Sequence, residues 1–283
     1  MVQTKLTALT LALAALVSCA PKVSWDYMPV DGHLTGVLAA GAENVAEKMG
    51  VCDGSVYTAP NGRVFDSGVT PSVAEILLDV QPQMADLKEI VGYCPEDMIK
   101  HRPESELSNW VADVFASEAS RLAGMPVDLA IYNNGGIRVD LPQGDIFKDD
   151  IVSMFPFKNY LVVIKTKGKN LREAFDHMAA DRCDAVSSSV RLVIDRKERK
   201  LVSAEIGGSP LDDEKIYTLA TIDFLMDGGD GYNLAKNCTQ MKITGYQSID
   251  VFLPYVLSLK QEGKPLEHFL DGRITYVNEE ERQ

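Results

Sequence analysis

Three short stretches of this sequence combine glycine with side chains that bind polar ligands. The first reads Asn133-Asn134-Gly135-Gly136-Ile137-Arg138. Its glycines let backbone amides approach a ligand closely, and the asparagine amides both donate and accept hydrogen bonds. The planar guanidinium of Arg138 suits a carboxylate or a phosphate. On its own the stretch is also typical of a tight turn with an exposed arginine.

The second and third stretches add aromatic rings and carboxylates. One reads Phe155-Pro156-Phe157-Lys158-Asn159 and places two rings beside a proline in a predicted surface connection. Aromatic residues at such a position more often belong to the core than to a binding surface. The other reads Asp227-Gly228-Gly229-Asp230-Gly231-Tyr232, where two carboxylates on a flexible backbone could hold vicinal hydroxyls or a cation. A Gly-Asp cluster by itself is usually a turn.

Apolar runs with helical or strand periodicity separate these stretches and must position them. Helical spacing predicts a helix from residue 72 that Pro82 kinks or splits, then helices over 104–122, around Leu171 to Met178, and over 248–261. Short apolar runs predict strands at residues 127–132, 160–166, 190–194, 201–206, 216–222 and 273–277. The strands on either side of the charged run 195–200 form a predicted hairpin. Helices interspersed with hairpins favour a mixed α/β fold over a strictly parallel sheet.

The N-terminus predicts export. Lys5 precedes an apolar run over residues 6–17 that is too short to cross a bilayer as an ordinary helix, so residues 1–18 are interpreted as a secretion signal. Leu16-Val17-Ser18-Cys19 resembles the lipidation motif of bacterial lipoproteins, which implies a lipid on Cys19. The alternative is a signal cleaved elsewhere. We therefore expect a lipid-anchored protein of the bacterial cell envelope, facing the periplasm or the surface, with membrane contact through the lipid alone.

We divide the rest of the chain into two parts. Residues 19–71 are predicted to be a tether with a small extension, which includes a helix over 37–49 and a hairpin at Asn61-Gly62. Residues 72–283 form the main domain. The formal net charge of −13 repels phosphate backbones, so a nucleic-acid polymer is excluded as the expected partner.

The remaining cysteines leave their pairing open. Cys52, Cys94, Cys183 and Cys238 allow two disulfides in three arrangements, and ordinary buried thiols are at least as compatible with the sequence. The chain contains no Cys-x-x-Cys pair, which argues against a thiolate zinc site.

Taken in order, the loops resemble the C-terminal, substrate-binding domain of the 5'-nucleotidases over residues 72–277. The family pattern is Asn-x-Gly-Gly-Ile-Arg, Gly-Asp-Ile, Pro-Phe-x-Asn before an apolar strand, and Phe-Leu-x-x-Gly-Gly-Asp-Gly-Tyr. This sequence supplies residues 133–138, Gly144-Asp145-Ile146, Pro156-Phe157-Lys158-Asn159 and residues 224–232, preceded by Arg102-Pro103-Glu104-Ser105. Four such loops in one order are a specific signal. The fold that the resemblance implies has mixed sheets covered by helices.

The resemblance also implies a role for each loop. Two phenylalanines that match Phe157 and Phe224 hold the base between their rings, and such stacking tolerates different bases. Asn133, with Asn159 nearby, is expected to contact the base edge, and Asp230 to accept hydrogen bonds from the ribose. Arg102 and Arg138 would face the phosphate. Gly135 and Gly136 complete the expected nucleotide or nucleoside site, for which a purine is the favoured base.

The catalytic half of the family's complete enzymes has no counterpart in this sequence. There, a metallophosphatase domain holds two metal ions with several histidine-containing motifs, since two metals clamp the attacking and leaving oxygens. This chain has four histidines, and Asp31-Gly32-His33 matches one such motif without the others. We therefore expect no metal or other cofactor and no catalytic residue in this chain. His177 and His268 are expected to have helix-face or surface roles.

Two functions remain open from the sequence. The first is the specificity subunit of a 5'-nucleotidase-type hydrolase in nucleotide catabolism, acting with a separately encoded, exported metallophosphatase that carries the divalent metals. The second is a lipid-anchored nucleoside or nucleotide binding protein without a catalytic partner. The presence of both Arg102 and Arg138 favours the first, because a nucleoside scavenger needs the phenylalanines and Asp230 without them.

Overall fold

The computed structural model describes residues 34–38 and 40–278. The predicted signal, the lipidation site Cys19 and the Asp31-Gly32-His33 motif lie outside these residues. Within them, no helix is both long and apolar enough to cross a membrane.

Strands and helices alternate along the described chain. The strands are β1 (Val51–Asp53), β2 (Val56–Thr58), β3 (Val64–Phe65), β4 (Ile90–Cys94), β5 (Leu129–Tyr132), β6 (Gly144–Phe147), β7 (Tyr160–Lys167), β8 (Ala185–Val186), β9 (Val190–Asp195), β10 (Lys200–Ile206), β11 (Ser209–Pro210), β12 (Ile216–Ile222), β13 (Gln240–Gln247) and β14 (Ile274–Val277). The helices are α1 (Val45–Met49), α2 (Thr70–Asp79), α3 (Glu106–Ala123), α4 (Lys148–Met154), α5 (Gly168–Ala180), α6 (Asp223–Met226) and α7 (Ser248–Gln261).

The central sheet has the strand order β13-β7-β12-β5-β8. β12 runs parallel to β5, whereas the other three neighbouring pairs are antiparallel, so the predicted mixed α/β fold is confirmed. All four residues of β5 are buried. A strand that is apolar on both faces needs cover on both faces, and α3 packs against it from one side. The loop of residues 133–138 therefore leaves a rigid, buried strand.

A second sheet has the order β11-β10-β9-β14 and contains the predicted hairpin around residues 195–200. β14 closes this sheet in parallel with β9. β4 and β6 form a separate antiparallel ladder that carries Gly144-Asp145-Ile146. These two strands and α4 are elements that the periodicity analysis did not predict.

The core of the main domain is built around α3 and α7. Ser105 caps α3 and exchanges hydrogen bonds with Ser108, and Gly124 ends the helix in the left-handed conformation, with a φ of 66°. The rings of Phe155 and Phe252 stack with centroids 4.0 Å apart inside this core. The two rings of the Phe155-Pro156-Phe157 stretch therefore have different environments. Phe155 is buried in the core, whereas Phe157 is exposed.

The segment before residue 89 forms a small unit of its own. β1, β2 and β3 make an antiparallel sheet whose second turn is the predicted Asn61-Gly62 hairpin, and Tyr57 packs with Ala74 of α2. The boundary that we set at residue 72 therefore falls inside α2, a helix that packs on this sheet. The predicted helix over 37–49 is wrong for most of its length, because only α1 is helical. The predicted break at Pro82 is confirmed, since a 3₁₀ helix (Gln81–Lys88) follows α2.

Candidate functional site

The first loop turns sharply after β5. Residues Asn134–Gly136 form one 3₁₀ turn, closed by a hydrogen bond from the Gly136 N–H to the carbonyl of Asn133. A Cβ on Gly136 would lie 2.5 Å from Oδ1 of Asn133 and 3.2 Å from the ring of Tyr132. Glycine is required there because the Asn133 side chain folds back over the turn.

Asn133 connects this loop to the Gly-Asp-Gly loop. Its Nδ2 donates to Oδ2 of Asp230 at 3.1 Å, and its Oδ1 is buried without a partner among the described residues. Asp230 itself has a φ of 51°, which is unusual for a residue other than glycine. Nε2 of His177 lies 2.7 Å from the Asp230 carbonyl, and its ring meets Tyr232 edge-on. His177, for which we expected a helix-face or surface role, therefore packs against the predicted ribose-binding loop.

Phe157 and Phe224 both leave their rings accessible, with 48% and 40% of the residue surface exposed. One carboxylate oxygen of Asp223 accepts from the Tyr160 N–H at 3.0 Å and from the Phe224 N–H at 2.9 Å. This shared acceptor joins the start of β7, just after the Phe157 loop, to the start of α6. The ring of Phe224 lies over Gly229, where any Cβ would come within 2.6 Å of it.

Arg138 lies between the first and second loops. Its Nη1 donates to the carbonyl of Gly135 at 3.2 Å, and its guanidinium carbon lies 5.8 Å from the centroid of the Phe157 ring. That distance permits a cation–π contact. Asn159 is half-buried, and its carbonyl accepts from the Ser248 N–H at the start of α7.

Arg102 is held by the segment between α5 and β8. Its Nε donates to the carbonyl of Cys183 at 2.8 Å, and its Nη2 lies 3.6 Å from Oδ1 of Asp184. Asp184 also accepts from the Asn134 N–H at 2.8 Å and from the Tyr232 hydroxyl at 3.0 Å. Burial raises the pKa of the Asp184 carboxyl, and these two hydrogen bonds and Arg102 oppose that shift.

Lys100 is a further cation beside the first loop. Its Nζ donates to the carbonyls of Asn134 and Ile137. Burial lowers its pKa, and the nearby charges of Arg102 and Arg138 act in the same direction. Three cationic side chains thus lie near this loop, and together they would attract a phosphate locally despite the negative net charge of the chain.

These contacts connect the predicted site residues through the loops and Asp184, except for Asn159, whose carbonyl contacts Ser248 of α7 instead. A small pocket of 90 Å³ lies within this group, lined by Arg102, Gly135, His177, Asp181, Arg182, Asp184 and Asp230. A larger pocket of 720 Å³ lies between the segments around Met98 and Phe269, and its lining contains none of the predicted binding residues. We place the candidate site at the first group because it contains the predicted binding residues and combines accessible rings, a carboxylate and cations.

The sequence did not predict Lys100, Asp184 and Asp223 as members of this group, and it predicted only a helix-face or surface role for His177. They belong to no recognisable loop pattern, except that Asp223 directly precedes Phe224. The described residues include no group of three or more His, Cys, Asp or Glu side chains that could hold a metal ion. The chain's described residues thus do not fit a two-metal centre. Cys52, Cys94, Cys183 and Cys238 are free thiols in the part of the chain that the structure describes, so neither of the two possible disulfides among them is formed there.

Comparison with known proteins agrees with the motifs. The family model for the 5'-nucleotidase C-terminal domain matches residues 89–237. The trifunctional nucleotide phosphoesterase protein YfkN of Bacillus subtilis is 26% identical over 226 residues, which is 73% of this chain and 15% of that protein. Protein UshA of Yersinia enterocolitica is 28% identical over 225 residues, which is 75% of this chain and 39% of that protein.

A solved structure shares both sequence and fold with this chain. The 5'-nucleotidase precursor of Thermus thermophilus superposes with a TM-score of 0.66 and 28% identity, over 78% of this chain and 45% of that protein. The chain thus corresponds to less than half the length of each of these relatives.

Proposed function

The chain belongs to the 5'-nucleotidase C-terminal domain family, and we propose that it is the nucleotide-recognition half of a 5'-nucleotidase-type phosphomonoester hydrolase. One observation carries this proposal. Two accessible phenylalanine rings, a carboxylate and a pair of arginines come from four separate loops and join in one group of contacts. That combination matches the three parts of a nucleotide, namely base, ribose and phosphate.

Each part of the ligand has a complementary group. We propose that the base lies between Phe157 and Phe224, because stacking needs accessible ring faces and tolerates different bases. Asp230 would accept from the ribose hydroxyls while Asn133 holds one of its carboxylate oxygens. The unpartnered Oδ1 of Asn133 would accept an N–H from the base edge.

The phosphate would lie toward Arg102 and Arg138. A guanidinium has five N–H groups, and each arginine uses only part of them on the protein carbonyls that hold it. These arginines would orient the phosphate for a reaction that other residues carry out. Because the described residues do not fit a metal centre, we propose that the hydrolytic metals belong to a separately encoded, exported metallophosphatase.

One observation favours a second function. Arg102 and Arg138 are both hydrogen-bonded within the protein, so the site is also compatible with a nucleoside that carries no phosphate. The alternative is therefore a nucleoside or nucleotide binding protein without a catalytic partner. In both cases we propose that a lipid on Cys19 anchors the protein in the bacterial cell envelope. Substituting Cys19→Ala should release it from the membrane fraction.

The two functions are separated by AMP hydrolysis. The purified chain is assayed alone, then with an exported metallophosphatase of the same cell, and that enzyme is assayed alone. We expect turnover of AMP to rise only in the mixture, and Arg138→Ala to abolish the rise. Binding of adenosine and AMP without any rise, for every exported metallophosphatase tested, would support the binding protein instead.

A further inference from the structure

Asp184 lies where three loops of the candidate site meet. Its two carboxylate oxygens accept from the Asn134 N–H and the Tyr232 hydroxyl, at 2.8 and 3.0 Å. The same carboxylate lies 3.6 Å from Nη2 of Arg102. One side chain thus contacts the Asn-Gly-Gly loop, the Gly-Asp-Gly-Tyr loop and the arginine that precedes α3.

The neighbouring backbone strengthens this connection. The carbonyl of Cys183 accepts from Nε of Arg102 at 2.8 Å and from Nδ2 of Asn134 at 3.2 Å. Arg102 is therefore held at two points of its guanidinium, a hydrogen bond at Nε and an ion pair at Nη2. The side chain of Asp184 is only 7% exposed, so solvent screens this ion pair little, whereas the arginine side chain remains 35% exposed.

We propose that Asp184 is a positioning residue that fixes the guanidinium of Arg102 for the phosphate and thereby sets the preference of the site for a nucleotide over a nucleoside. This inference rests on the proposed nucleotide binding. A long arginine side chain with one edge in solvent samples several rotamers, and binding must then offset the loss of that freedom. An arginine already held at Nε and Nη2 loses less freedom when a phosphate binds to its remaining N–H groups.

A purely structural role for Asp184 makes a different prediction. If Asp184 only holds the two loops together, removing its carboxylate should weaken the binding of a nucleoside and of a nucleotide equally, because both ligands would contact those loops. If Asp184 also positions Arg102, removing only the charge of Asp184 should weaken nucleotide binding and leave nucleoside binding nearly unchanged. The ratio of the two affinities therefore distinguishes the roles.

Asp184→Asn is the sharpest variant for this test. Its amide oxygen can still accept from the Asn134 N–H, and its amide nitrogen can donate to the Tyr232 hydroxyl, which accepts as well as donates. Both loop contacts are thus preserved while the ion pair with Arg102 is lost. Asp213→Asn is the matched control, because it removes another aspartate–arginine pair, Asp213 with Nε of Arg172 at 2.8 Å, from the opposite end of α5.

Adenosine and AMP are titrated calorimetrically into the full chain and each variant, after thermal unfolding has confirmed that the variants fold. We expect Asp184→Asn to weaken the binding of AMP about tenfold, which corresponds to about 1.4 kcal/mol. The affinity for adenosine should change by less than about twofold. Asp213→Asn should change neither affinity. In an Arg102→Ala background, Asp184→Asn should weaken AMP no further, because the group that it positions is gone.

Equal weakening of adenosine and AMP by Asp184→Asn would overturn the inference in favour of a structural role. An unchanged AMP affinity, or a full effect that persists without Arg102, would overturn it as well. If the unaltered chain binds neither ligand, the proposed function fails and the inference fails with it. If the unaltered chain binds both ligands but Asp184→Asn leaves the ratio of the two affinities unchanged, the inference fails while the proposed function stands.

Discussion

At the scale of single residues, the candidate site depends on side chains that are accessible but not free to move. Phe224 exposes its ring while its backbone N–H is held by Asp223 and its ring lies over Gly229. Asp230 keeps an uncommon backbone conformation between two contacts, with Asn133 on its carboxylate and His177 on its carbonyl. Preorganisation of this kind lowers the entropy lost when a ligand binds.

The stacking rings give the most direct test at this scale. Phe224→Ala should weaken adenosine binding by roughly 1 to 3 kcal/mol, because one stacking face is lost. Phe269→Ala is the matched control, since Phe269 is also exposed but lines the larger pocket, whose lining contains none of the predicted binding residues. Calorimetry with adenosine, AMP and inosine measures both. Equal affinities in the two variants, or no heat with any ligand, would contradict the assignment.

Two adjacent glycines allow a second test. A Cβ at Gly136 would force the Asn133 side chain away from Asp230, whereas a Cβ at Gly135 would meet nothing closer than 3.6 Å. Gly136→Ala should therefore destabilise the fold by about 1 to 3 kcal/mol, as overpacking does, and also weaken adenosine binding. Gly135→Ala should leave the free energy of unfolding nearly unchanged. Urea denaturation measures the free energy of unfolding of both variants. Equal values for Gly136→Ala and Gly135→Ala would contradict the described geometry.

The sequence predicted the residues that we propose to contact a ligand, but it did not predict the residues that hold them in place. Arg138, Phe157 and Asp230 lie in loops whose order forms a recognisable pattern. Asp184 and His177 carry no such pattern, because each acts through a contact that folding alone creates, at separations of 50 and 53 residues from their partners. Local spacing holds no information about such contacts.

At the scale of elements, the long strands of the central sheet other than β13, and the long amphipathic helices, were predictable, whereas β4, β6, α4 and β13 were missed. α7 follows the predicted bounds, 248–261, since its apolar spacing is regular. β13 went unnoticed because no residue of this edge strand is fully buried, so it shows no alternation. β4 contains Gly92, which lowers strand propensity but is needed where a Cβ would come within 2.5 Å of the Leu266 side chain.

A cluster of charges ties α3 to β14 and gives a prediction about pH. Asp113 accepts from both Nη atoms of Arg273 and lies 3.0 Å from Nε2 of His268. Burial alone would raise the pKa of Asp113, but the hydrogen bonds from His268 and Arg273 outweigh it and lower the pKa to about 2. The same contact with Asp113 raises the pKa of His268. His268, which we expected on a surface, is thus part of an ion-pair network.

The sign of the pH effect follows from these shifts. Asp113 stays ionised in the folded chain below the pH at which it binds a proton in the unfolded chain, so its stabilisation is present above about pH 4 and is lost toward about pH 2. The contribution of His268 has the opposite sign and is lost as the pH rises through its raised pKa. Asp113 therefore contributes to acid denaturation, whereas His268 contributes to loss of stability at higher pH.

Urea denaturation of Asp113→Asn tests this at low pH. The difference in free energy of unfolding between the unaltered chain and the variant should narrow by about 1 kcal/mol from about pH 5 to about pH 3. Asp86→Asn, at an exposed carboxylate paired with Lys148, serves as the control and should show no such narrowing. A constant difference for Asp113→Asn would show that its pKa is not lowered in the folded chain.

At the scale of the whole molecule, the residues that we propose for nucleotide recognition lie together, and the described residues include no group of three or more His, Cys, Asp or Glu side chains that could hold a metal ion. We predict that the purified chain contains no stoichiometric zinc or manganese and hydrolyses AMP no faster than background. Elemental analysis and a phosphate-release assay measure this. Two bound transition metals per chain would overturn the division of labour that we propose.

The small N-terminal unit contacts the main domain at α4, against which its 3₁₀ helix packs. Nζ of Lys148 in α4 forms an ion pair of 2.7 Å with Asp86, and the Lys148 N–H donates to the carbonyl of Glu89. The unit also exposes apolar side chains of α2, among them Val73 and Ile76. It precedes the main domain in the chain, as the catalytic domain and linker are expected to do in complete 5'-nucleotidases. We therefore expect this unit to contribute to a docking surface rather than to act only as a tether.

The assembly prediction follows from the imbalance between recognition and catalysis. A domain that holds base and ribose contributes to hydrolysis only if another protein places its metal centre over the phosphate, which Arg102 and Arg138 would orient. An exported metallophosphatase of the same cell should therefore co-purify with this chain, and its turnover of AMP should rise when the chain is added. Arg138→Ala should still co-purify with it but lose the rise, because Arg138 lies at the phosphate end of the proposed site. If candidate metallophosphatases neither bind the chain nor change rate while adenosine still binds, a free-standing nucleoside-binding protein becomes the better account.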